Sequence, residues 1–178
     1  MKALCTTMAL LAACLISCKA EQTTSEPQQK EVPPVAKSPK DECEELMDAL
    51  LPIAEKMLSK HGEFHPYGGS ITKDGEVQPA SVYDGRERPP SNDLINMLAS
   101  VFQEEAEKGS VRATAIVYDA LVTPPGATEK TDAIIVCLDH QDGYSAQVCL
   151  PYTISETGEL TCGEIFAVAG KNAIFGQE

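Results

Sequence analysis

Apolar and polar positions divide the chain into three stretches of different character. Lys2 is the only charge ahead of Ala3 to Ser17, which is apolar or small throughout. That layout reads as a charged head and a secretory apolar run, shorter than the roughly 20 residues a spanning helix needs. Glu21 to Glu42 follows as EQTTSEPQQKEVPPVAKSPKDE, with no aromatic residue and many Pro, Gln, Ser, Thr and charged positions. Such a segment cannot bury enough apolar surface to offset its chain entropy, so it predicts an unfolded tether. Pro33, Pro34 and Pro39 keep it extended.

From Cys43 onward the pattern becomes periodic. Leu46, Leu50, Ile53, Met57 and Leu58 form one stripe at helical spacing over Glu44 to His61, with Gly62 as its stop and Pro52 as a kink. Two strands, Gly68 to Thr72 and Glu76 to Tyr83, flank Asp74-Gly75, and Pro79 marks an edge. After the loop Asp84 to Pro90, Ser91 or Asn92 can cap a second helix reaching about Lys108, with a stripe of Leu94, Met97, Leu98, Val101 and Phe102. Val111 to Val122, Asp132 to His140 and Tyr144 to Ile154 read as strands, the last two around Asp142-Gly143. Cys162 to Ala169 reads as a last strand or an irregular segment that closes the sheet. The order helix, hairpin, helix, meander predicts an α+β class, with an antiparallel sheet of about five strands and both helices packed on one face. It is similar to the element order of profilin and roadblock proteins, a likeness that carries no function.

Leu15-Ile16-Ser17-Cys18 resembles the lipobox of bacterial lipoproteins. The resemblance implies cleavage before Cys18 and acylation of its thiol. Leu11-Ala12-Ala13-Cys14 has the same letters, but a cut there leaves the apolar Leu15 and Ile16 at the mature end, whereas Lys19 and Glu21 follow Cys18. The organisation expected is a signal peptide at 1–17, acylated Cys18 and a tether at 18–42, and one α+β domain at 43–178. The implied partner is a lipid bilayer, held through acyl chains at about 0.8 kcal/mol per buried CH₂. Lys19 points to the outer membrane if the source has two.

Charge narrows the partners further. Lys and Arg number 14 against 27 Asp and Glu, a formal charge of −13. This argues against nucleic acid and anionic headgroups, which reward basic patches; solubility is the plain reading of the acidity.

Seven cysteines in an exported chain permit pairing. On the strand before Asp142-Gly143, Ile134, Val136 and Leu138 share the core face and Ile135, Cys137 and Asp139 the other; on the next, Ala146, Val148 and Leu150 oppose Ser145, Gln147 and Cys149. Cys137 and Cys149 thus become near neighbours and a candidate disulfide, with Cys43 and Cys162 as a second pair that no spacing supports. His61, Glu63 and His65 have weak metal-site spacing, which the helix stop at Gly62 interrupts, and nothing local brings His140 to them. Gly68, Gly69 and Ser70 read as a tight turn into the hairpin rather than a phosphate loop or nucleophile elbow. Glu104, Glu105 and Glu107 read as a solvated helix face, and Lys130 with Asp132 as a loop anchor beside the HPYGG turn.

GEFHPYGGSITKDGEV (Gly62 to Val77) and EKTDAIIVCLDHQDGYSAQVCLPY (Glu129 to Tyr152) are similar to a group of uncharacterised bacterial proteins with a GEF-aromatic-Pro-aromatic-Gly turn and a KTDAI strand. The similarity implies no activity, and the strand cysteines and leader depart from it. The function expected is that of a non-catalytic binding or interaction lipoprotein of the cell envelope, without a cofactor. Its partner is an envelope protein or a second copy, met by the sheet face of Ile135, Cys137 and Cys149. The alternatives are a small metal-dependent hydrolase built on His61, Glu63 and His65, and an immunity-type protective protein.

Overall fold

The structure, a computed structural model, describes residues 37–176. The expected signal peptide, Cys18 and the tether up to residue 36 lie outside the described residues. Nine elements follow: α1 (Pro39–His61), β1 (Tyr67–Thr72), β2 (Val77–Ala80), α2 (Ser91–Glu107), β3 (Val111–Val122), β4 (Thr131–His140), β5 (Ser145–Ile154), β6 (Leu160–Cys162) and β7 (Phe166–Ala169). The chain is α+β with an antiparallel seven-stranded sheet in the order β2-β1-β3-β4-β5-β6, and β7 also pairs with β5. The closing segment, expected as one strand or as irregular, holds the end of β6 and all of β7, which divide the outer edge of β5 between them.

Helix α1 begins earlier than its apolar stripe. Ser38 caps it: its hydroxyl accepts from the Asp41 N–H (3.2 Å), the Asp41 carboxylate accepts from the Ser38 N–H (3.1 Å), and Pro39 occupies the first turn. A reciprocal capping box with a proline at the start is a strong local initiation signal. It draws the last residues assigned to the tether, through Glu42, into the helix. The other cap also differs: Pro90, not Ser91 or Asn92, holds the N-cap position of α2, without a side-chain hydrogen bond.

The two helices lie on opposite faces of the sheet, not on one. Leu46, Leu50, Ala54 and Leu58 of α1 pack with Ala113, Ala115 and Val117 of β3, Ile134, Val136 and Leu138 of β4, and Val148 and Leu150 of β5. Leu98 and Phe102 of α2 pack with Ile116 of β3, whose side chain points the other way. Chain direction makes this arrangement accessible. With β1 antiparallel to both neighbours, β2 and β3 run parallel around it, and α2 becomes the crossover of a split β-α-β unit. From Leu46 in α1 and Leu94 in α2 the fully buried positions recur every four residues; Ile53, Met57, Met97 and Val101 from the predicted stripes stay more than a third exposed.

Gly68 and Gly69 lie within β1, not in a turn. A Cβ on Gly68 would collide with the Ala115 carbonyl oxygen and stand 2.9 Å from Phe102 Cε2 of α2. One on Gly69 would stand 3.0 Å from the Gln78 carbonyl oxygen and 3.1 Å from Leu50 Cδ2 of α1. The pair lets both helices press on the same strand from either side. Tyr67, beside them, reaches the helix interrupted by Pro52: its hydroxyl donates to the Leu50 carbonyl (2.8 Å) and accepts from the Ala54 N–H (3.1 Å). It bridges two groups that an undisturbed helix joins directly.

Candidate functional site

Helix α1 packs across β3, β4 and β5 on its face, whereas α2 covers only the β1–β3 side of the other face. Between α2 and the β4–β5 side lies a cleft of about 340 Å³. Ile95 and Ala99 of α2 and Ile116 of β3 supply apolar walls, and Tyr118, Cys137 and Gln147 form the floor. Residues 170–174 make the far wall, where Lys171 is exposed.

That wall is fastened by one carboxylate. Asp139, 8% exposed, accepts from the Ser145 hydroxyl at 2.6 Å and from the Ile174 N–H at 3.2 Å. Ser145 Oγ in turn accepts from the Asn172 N–H (2.9 Å), and the Ser145 carbonyl accepts from the Gly170 N–H (3.1 Å). A Cβ at Gly170 would overlap Ser145 Oγ, so only glycine lets the strap lie this close. Gln103 of α2 completes the fastening by donating to the Ala173 carbonyl (2.9 Å).

The floor is bonded differently. Tyr118 Oη meets Cys137 Sγ at 3.7 Å, Cys137 Sγ meets Gln147 Oε1 at 4.0 Å, and Gln147 Nε2 meets Cys149 Sγ at 3.7 Å. Burial pushes the Tyr118 phenol and the Cys137 thiol up from their ordinary values, so both stay protonated at neutral pH.

The same register corrects the cysteine expectation. Cys137 opposes Gln147 and Cys149 opposes Ile135, so the two cysteines are diagonal on one face and both remain thiols. Diagonal positions lie about 7–8 Å apart, beyond the usual disulfide span. Cys43, fully buried on the sheet side of α1, and Cys162, exposed on β6, are likewise separate thiols. The face expected to meet a partner is also not open: Ile135 is 1% and Cys149 2% exposed, packed with Ala133 and flanked by Tyr118 and Phe166.

His61, Glu63 and His65 do line one cleft, of about 650 Å³, together with Arg88 and Asp119. Among the described residues no three His, Cys, Asp or Glu side chains come together in a group that could hold a metal ion. Asp119 there accepts from the Tyr152 hydroxyl (2.9 Å), and its carboxyl is raised by burial, opposed by that hydrogen bond and reinforced by the charge of Asp132. Glu104 and Glu107 are exposed as expected; Lys130 and Asp132 enter no ion pair among the described residues.

His140 is at the other end of the molecule, separated from His61 by roughly 30 Å of helix α1. Its Nδ1 accepts from the Asp142 N–H (3.0 Å), which leaves the proton on Nε2 to be donated to Glu42 Oε2 (3.0 Å). Arg112 Nη2 pairs with the other Glu42 oxygen at 2.8 Å. The triad, with Glu42 and His140 buried and Arg112 partly exposed, pins the first turn of α1 to β3 and β4. Nearby Cys43 has its thiol pushed up to about 12, first by burial and then by the charges of Asp139, Glu42 and Glu44.

The chain matches no protein-family model, no curated protein and no solved structure. Among the described residues, no helix is long and apolar enough to cross a membrane.

Proposed function

We propose that this chain is an exported lipoprotein, acylated at Cys18, whose α+β domain is a non-catalytic binding module held at the cell envelope. The leader pattern Leu15-Ile16-Ser17-Cys18 supports the anchor. The observation that carries the binding reading is the cleft under α2: apolar walls around a few convergent polar groups, the usual composition of a ligand site. The larger cleft with His61 and Glu63 mixes charges of both signs and lacks a metal-holding group among the described residues, so the hydrolase alternative has less behind it. No residue pattern supports the immunity-type alternative.

Two measurements on the full chain test this reading. Wild type fed a clickable fatty acid is expected to be labelled and to sediment with membranes, and Cys18→Ser to do neither; equal labelling of the two overturns the anchor. A photo-crosslinking residue at position 171, on the cleft wall, is expected to give an adduct in cells, and one at exposed position 53 on α1 is not. Adducts at neither position, or equally at both, overturn the cleft as the binding site.

A further inference from the structure

The floor of the cleft has hydrogen-bonding capacity that the protein leaves unfilled. Tyr118 and Gln147 are half-buried and line the cleft. Here the side-chain contacts of Tyr118 Oη and of both ends of the Gln147 amide are to sulfur, at 3.7 to 4.0 Å. Sulfur is a weak donor and a weak acceptor. Among the described residues Asp139 is the one carboxylate lining the cleft, and both its oxygens are already engaged by Ser145 and by the Ile174 amide. Among the described residues Lys171 is the one cation in the lining, and it is exposed.

We infer that the cleft binds an uncharged amphiphile: a short apolar body against Ile95, Ala99 and Ile116, with a carboxamide or alcohol head between Tyr118 and Gln147. The neutral phenol donates to the head, while the Gln147 amide both accepts and donates. A cationic head finds no free carboxylate, since Asp139 is committed to the strap. An anionic head meets the field of a chain carrying −13, with one exposed lysine to offset it. The inference rests on the binding reading above and specifies its ligand class.

Cys137 on the floor and exposed Cys162 on β6 supply the assay. The acylated full chain, in nanodiscs, is treated briefly with N-ethylmaleimide and each cysteine is quantified by peptide mass spectrometry. The treatment is repeated with hexanamide, hexanoate or hexylamine, which share one body and differ in head. Hexanamide is expected to slow labelling of Cys137 several-fold, with the charged analogues much weaker and Cys162 unchanged in all. Gln147→Leu is expected to remove most of the hexanamide protection. Ala99→Trp, filling the cleft, is expected to slow Cys137 labelling without any ligand. No protection of wild type overturns the inference, as does equal protection by all three heads or protection that Gln147→Leu leaves intact. If protection fails while Cys18-dependent membrane retention holds, the ligand class falls and the tethered module stands; protection without that retention keeps the ligand class and removes the anchor.

Discussion

The two faces of the sheet are built from the same strands yet finished differently. Under α1, side chains from both helix and sheet close a continuous core in which Leu46, Leu50 and Ala54 reach zero exposure. Under α2 the core is smaller, and toward β4 and β5 the covering passes from a helix to a strap hydrogen-bonded to Asp139 and Ser145. A helix brings a wide apolar stripe to a sheet, whereas a strap brings mainly backbone. The face with less to bury keeps a cleft between helix and strap, whereas the cleft of His61 and His65 opens at the C-terminal end of α1.

Truncations at matched depth put the largest strain on this comparison. Leu50→Ala on the closed face is expected to cost about 2–5 kcal/mol in urea unfolding, the range for a leucine whose surroundings cannot collapse. Ile116→Ala, 7% exposed beside the cleft, is expected at or below the lower end of that range. Equal losses would mean that the open face is packed as tightly as the other.

Gly68→Ala comes next, at about 1–3 kcal/mol of overpacking, because the added methyl meets the backbone oxygen of Ala115 as well as the Phe102 ring. Gly69→Ala is expected to cost less, since its Cβ would stand 3.0 Å from the Gln78 oxygen and 3.1 Å from Leu50 Cδ2 rather than in collision with backbone. The reverse order in thermal unfolding would show that α1, not α2, is the less yielding neighbour.

Asp139→Ala removes the acceptor for Ser145 and the strap, for which hydrogen bonds to a charged group suggest a loss of about 1.5–3 kcal/mol. The sharper readout is local: Cys137 should be alkylated faster while Cys43 on the sheet side of α1 stays protected. Uniform acceleration at both cysteines would mean that the strap supports the whole fold rather than one face.

The smallest effect expected is that of pH on Asp119. Its carboxyl is raised, so between the ordinary aspartate value and the raised one the folded chain binds the proton more tightly than the unfolded chain. Its contribution to stability is therefore fully present below that window, is lost as pH rises through it and is constant above it. Asp119→Asn should gain relative to wild type as pH rises through the carboxylate range, followed as Tm against pH. A pH-independent difference would mean that the carboxyl titrates alike in both states.

Much of this architecture was legible in local sequence. Asp74-Gly75 and Asp142-Gly143 marked both tight hairpins, and in each the glycine takes the positive φ such loops require. Alternation correctly assigned Ile134, Val136 and Leu138 to one face and Cys137 to the other. The capping signal at Ser38 and Asp41 was present as well, but the polar composition around it pointed to a tether. Glu42 was read with that tether, although it is 6% exposed and holds both His140 and Arg112.

The sequence by itself determined the helices, the strands, the turns and the side of each strand that is apolar, because these depend on neighbours a few residues away through fixed periodicities of 3.6 and 2. Only the tertiary structure decided which face each helix covers, how far β5 slides along β4, and that Asp139 meets the strap 35 residues later. Apolar alternation selects a face but not a partner at a distance, and two registers differing by two residues bury the same side chains. The choice between them lies in the turn geometry and in contacts that exist only once the chain has closed on itself.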